Sequence, residues 1–271
     1  MLLDAPAPFS EAVKIMAQKK ILPTTLDSAG IRELDANLRR ASMFSAKTTN
    51  EYLLGKYQTL VESIINPATE QREDRVTEAN PQGNVTTGYN PATARLAIKN
   101  FLQEIGYAPE ADEAGTIKDL SSDARINLVV ETNTELAQGA GRFIQMNDAD
   151  VLDQFPAQEL FRLEGRHKQR DWEDRWRTAA EASGDDDALN ALESFGRMVA
   201  LKSSPIWDSL GSSDLFDDAL DNPYPPFAFN SGMWVRSVNR ADAEDLGLIG
   251  AGDKAEPHPL DLSQLFSFAG N

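Results

Sequence analysis

The sequence predicts an α+β fold that is mainly α, with a helical N-terminal two-thirds and a small late β-sheet. Three observations predict it. Apolar residues recur at helical spacing in several stretches before residue 195. The runs that suit strands are short and late, RMVAL at 197–201 and GMWVRSV at 232–238. The composition is that of a globular chain, with 271 residues, 41% hydrophobic and 25% charged, which is enough to bury a core.

Ser10 is placed to cap a short helix reaching about Met16, and Ser28 a second running through IRELDANLRR. A third is expected from about Ser45 to Ile65. It has Thr48 and Glu51 in capping-box spacing and Leu53, Tyr57, Leu60, Val61, Ile64 and Ile65 as its stripe; Pro67 ends it. Residues 67–90 are polar and rich in turn pairs, so they read as an exposed loop. Asn90 and Pro91 open the next helix, with Ile98, Phe101, Leu102 and Ile105 as its stripe and Gly106 closing it. Ser121 or Ser122 caps the longest helix, which reaches about Gln145. Its Gly139 and Gly141 point to a close crossing or a kink. Further helices are expected at 157–164, 172–182, 187–195 and 241–247. The resulting organisation is a helical arm over 1–66, a loop over 67–90, a compact α+β module over 91–250 and a tail over 251–271.

Composition narrows the function. Acidic side chains outnumber basic ones 43 to 26, for a net charge of −17. That speaks against nucleic acid or an anionic membrane as the main partner, because both demand positive charge. No segment approaches the run of about 18 apolar residues that a membrane helix needs, and the first ten residues lack the basic and apolar regions of a secretory signal. There are no cysteines and two histidines, His167 and His258. Cysteine nucleophiles and thiolate metal sites are therefore excluded, and the histidines stand far apart. The acids Asp185, Asp186 and Asp187, and Asp214, Asp217, Asp218 and Asp221, lack the order of a calcium loop and read as solvated turns. Gly139-Ala140-Gly141 and the glycines at 247, 250 and 252 form neither a P-loop nor a dinucleotide fingerprint. The expectation is no enzyme, no cofactor and no metal.

Two segments stand out as contact surfaces. RLEGRHKQRDWEDRW at 162–176 holds Arg166, Arg170, Trp172 and Trp176, with Asp171 as a helix cap. Arginine and tryptophan are favoured in interfaces, but two tryptophans on one helical face equally suit a core. The proline-rich phrase NPYPPFAF at 222–229 is too rigid for a linker; Tyr224, Phe227 and Phe229 are expected to pack under Trp207 and Trp234. The tail ends on Leu262, Leu265, Phe266 and Phe268, as a docking arm or a segment that folds back.

The longer phrases carry a resemblance. ILPTTLDSAGIRELDANLRRASMFSAKTTNEYL is followed by KDLSSDARINLVVETNTELAQGAGRFIQ, then FPAQELFRLEGRHKQRDWEDRW, then RMVALKSSPIWDSLGSSDLFDDALDNPYPPFAFNSGMWVRSVNR. In this order they resemble the minor head proteins of tailed bacteriophages, the Mu-type head morphogenesis family. The match covers most of residues 20–247. Ala41 to Tyr52 resembles the family's opening helix, and Glu131 to Gly141 its long helix. Arg166-His167 and Pro225-Pro226 resemble the arginine–histidine and proline-rich ends of its module. Where typical members carry a His-Pro-x-Cys-Arg-Cys phrase, this chain reads Phe229-Asn230-Ser231-Gly232, so any role of those cysteines does not transfer.

The resemblance implies a virion component, made in the host cytoplasm, that binds the portal protein, the major capsid protein or both, with self-association possible. A head–tail or tail adaptor is the alternative, and a toxin-like or hydrolytic module the second. Residues 1–60 carry a net +2 while residues 181–271 carry −11. Short helices are marginal alone and need a surface. The first 60 residues are therefore expected to form a docking arm through Ile15, Ile21, Leu22, Leu34, Leu38 and Phe44, or else to cover the chain's own long helix.

Overall fold

The computed structural model describes residues 10–66, 91–163, 165 and 170–266. The loop expected at 67–90, together with Arg166, His167 and Phe268, lies outside them. The chain is mainly helical with a small antiparallel sheet, as its periodicity implies. It divides into two units, and the boundary falls inside the longest helix, between Gln138 and Gly139, rather than at the expected positions 66 and 91.

The first unit begins with α1 (Ser10–Gln18). A two-residue parallel pair follows, β1 (Lys20–Ile21) with β2 (Ser42–Met43). The expected helix through IRELDANLRR is instead two, α2 (Ser28–Arg32) and α3 (Ala36–Arg40). The cause is Asp35, whose carboxylate accepts the Leu38 N–H and starts a new helix mid-run. The next helix, α4, spans Glu51–Ile65 and not 45–65. Asn50 caps it by accepting the Leu53 N–H at 3.0 Å, while Thr48 is bridged to Thr24. After α5 (Pro91–Glu104), Gly106 takes φ +72° and closes the helix as expected. The long helix α6 spans Asp123–Met146, and the Ser122 hydroxyl accepts the Arg125 N–H at its start.

The core of this unit joins Ala12 and Met16 of α1, Leu53, Tyr57 and Val61 of α4, Ile98 and Leu102 of α5, and Ile126, Val129, Val130 and Ala137 of α6. The N-terminal helix thus packs on the chain's own helices. The acid-rich loop before α6 is ordered by buried Asp119, which accepts the Gly115 and Ser121 N–H groups at 2.8 Å each.

The second unit takes the rest of α6, α7 (Ala149–Gln154), β3 (Ala157–Arg162), α8 (Trp172–Ser183), α9 (Asp186–Phe195), β4 (Val199–Leu201), α10 (Ile206–Gly211), β5 (Met233–Val238) and α11 (Arg240–Asp245). The two expected strands do not pair with each other. Residues 157–162, expected as helix, form the central strand between them, in the order β4-β3-β5. Both pairings are antiparallel, with Ala157 opposite Leu201 on one side and Val238 on the other.

Aromatic rings fill the core on this sheet. Trp176 meets Trp207 edge-on at 5.4 Å, and Trp207 stacks on Phe227 at 6.0 Å. Each indole N–H is satisfied, Trp176 on the Ala188 carbonyl and Trp207 on that of Leu201. Tyr224 is buried too, against Phe143 rather than under the tryptophans. Phe229 is 39% exposed, against expectation. Its neighbours explain this: the Phe229 N–H bonds the Asp218 carbonyl and Arg170 holds its own carbonyl, so the backbone is pinned at the rim.

Candidate functional site

Among the charged constellations of the described residues in the second unit, three stand out. In the first, Arg170 and Arg175 converge on Asp218, Arg170 from Nε at 2.5 Å and Arg175 from Nη1 at 2.7 Å. Arg175 also donates to the Leu210 carbonyl and lies over the Phe216 ring, while Arg170 donates to the carbonyls of Phe229 and Asn230. This cluster ties α8 to the proline-rich segment.

The second lies on the sheet, where Arg197 and Arg236 both donate to the buried Glu159 carboxylate at 2.9 Å. Burial alone raises the Glu159 pKa, but the two guanidinium groups outweigh it and hold the carboxyl below the ordinary glutamate value. The ionised form is thus favoured by folding. Its contribution is complete above the unfolded value of about 4.3 and is lost as pH falls through the lower folded value. Stability followed by circular dichroism is expected to drop below about pH 4, and Glu159→Gln to flatten that limb. An unchanged acid limb in the variant would remove Glu159 from the cause.

The third differs because its charges have no carboxylate partner among the described residues. Lys202, at the end of β4, is only 2% exposed, and its ammonium donates to the Met146 carbonyl at 3.1 Å. Burial, and then the nearby Arg142, pull its pKa down to about 8. The Arg142 Nε is buried without an acceptor. Both line a small cavity with Phe143, Met146, Gln158 and Tyr224.

The expected contact residues are dispersed. Ile15, Trp172, Trp176 and Phe266 are buried in their own units, which corrects their assignment to a partner surface. Trp172 and Trp176 point inward because their helix presents its alanine and tryptophan face to the sheet core. Leu22, Leu34, Phe44 and Leu265 are half-buried. Leu38 is 43% exposed and stays available to a partner. Arg170 is engaged internally, and Arg166 lies outside the described residues.

The acidic runs have local duties. Asp185 caps α9 through the Ala188 N–H, and Asp221 accepts the Ser213 N–H and hydroxyl. No group of three or more histidine, aspartate or glutamate side chains that could hold a metal occurs among the described residues. No helix of the described residues is long and apolar enough to cross a membrane.

Sequence reasoning missed Lys202, Arg142 and Glu159. A lysine closing a strand, or an arginine beside glycines on a helix, reads as a surface charge. The signal that was available is the small-residue run Gly139-Ala140-Gly141 directly before Arg142, which marks a crowded face. No known protein family, curated protein or solved structure matches this chain.

Proposed function

We propose that this chain is a structural minor head protein of a tailed bacteriophage or prophage, bound at the portal or capsid and needed for head assembly. The observation that carries the reading is the joining of two of the stretches that carry the family resemblance. The segment after β3 and the proline-rich phrase are distant in sequence, yet Arg170 bonds the carbonyls of Phe229 and Asn230. Trp176, Trp207 and Phe227 continue the junction into the core. Two phrases of the resemblance thus meet within one unit. The clusters at Asp218 and Glu159 are bonded into the scaffold, which suits a part that binds other subunits.

The test is genetic and compositional. Induced particles should carry the protein at low copy relative to the major capsid protein, in heads rather than in tails. Deleting its gene should abolish DNA-filled heads. Normal heads assembled without the protein would overturn the reading, and its recovery from tails alone would replace it with the adaptor role.

A further inference from the structure

In the described part of the second unit, buried Lys202 and half-buried Arg142 line one cavity, and neither pairs with a carboxylate of the described residues. Removing a charge from water is costly unless an opposite charge or a full set of hydrogen bonds replaces the hydration. Lys202 has three N–H donors, and the structure gives it one acceptor, the Met146 carbonyl. That carbonyl lies at the C-terminal end of α6, where the helix contributes partial negative charge but not a full counter-charge. Arg142 adds a second positive charge, with its Nε buried and unbonded. The cavity that both side chains line has a volume of about 10 Å³. A space of that size holds one water-sized body.

We propose that the cavity walled by Arg142 and Lys202 is a binding site for a single monatomic anion of the chloride class. A water molecule would supply an acceptor but no charge, and would leave the two cations repelling each other. Sulfate and phosphate carry four oxygens each and exceed the space. A halide brings one full negative charge in a sphere only slightly larger than water. It can accept from the Lys202 ammonium and the Arg142 Nε together. The remaining wall is built from Phe143, Met146, Tyr224 and Val235, with the polar side chains of Asn147 and Gln158. The lowered Lys202 pKa is the expected behaviour of such a pair without its anion.

Two measurements on the full chain test this. The first compares melting temperature in potassium chloride and potassium gluconate at equal ionic strength. Chloride is expected to raise it by roughly 2–4 °C, with saturation. Lys202→Met and Arg142→Leu should each abolish the chloride-specific part, whatever they do to baseline stability. The second is a crystal of the unmodified protein grown in bromide, which needs no folded variant. An anomalous bromide peak between the two side chains would support the site. Equal melting in both salts, or a cavity with no anomalous signal, would overturn it.

Discussion

Replacing Phe227 by alanine is expected to cost about 3–5 kcal/mol, while the same change at Phe229 costs no more than about 0.5 kcal/mol. The two residues sit two positions apart in one phrase and are equally apolar, so only their surroundings separate them. Phe227 is fully buried and stacks on Trp207, which in turn meets Trp176. Truncating it removes the ring's transfer energy and leaves a cavity that two indoles, fixed by their own N–H bonds, cannot collapse into. Phe229 is held by its backbone, and its side chain is exposed at the rim. Urea unfolding of the two variants measures the contrast. Equal losses would mean that the aromatic stack does not organise this core.

Gly139→Ala is expected to cost about 3 kcal/mol or more, although alanine is the better helix former by about 1 kcal/mol. A Cβ at this position would lie 1.6 Å from the Pro225 carbonyl oxygen and 2.8 Å from its carbon. Both are backbone atoms of the phrase that carries Tyr224 and Phe227 into the core, so relief requires moving that phrase off the helix. The control is Gly184→Ala. That glycine ends α8 at φ +68° with nothing within 4 Å of the added carbon, so the cost is only the left-handed backbone, about 1 kcal/mol. A Gly139→Ala protein as stable as the control would show that the helix and the phrase separate at little cost.

Local chemistry made much of this architecture legible. The period of 3.6 in the apolar stripes marked the helices of the first unit and α6. Gly106 marked the end of α5, and Asp171 marked the start of α8, where its carboxylate accepts the Asp174 N–H. Each of these is an interaction within a few residues, so the sequence alone contains both partners. The same locality misled at Asp35, where a cap inside an otherwise helical run divided it.

What only the tertiary structure decided is non-local. AQELFR at 157–162 is built largely from strong helix formers, and its apolar residues fit a helical spacing. It is nonetheless the central strand, because β4 and β5 pair with both of its edges, and that pairing outweighs a propensity of a few tenths of a kcal/mol per residue. Whether Trp172 and Trp176 met a partner or the core likewise depended on what faced them. The buried charges follow the same rule. Arg142 and Lys202 are ordinary in sequence, and their cavity exists only because α6, the strand ends and the proline-rich phrase converge on one place. Composition and periodicity determined most of the helices and the absence of cysteine chemistry. Contacts between distant segments determined the sheet, the orientation of the core aromatic rings and the burial of Lys202 beside Arg142, because burial is a property of the assembled fold and not of any stretch of it.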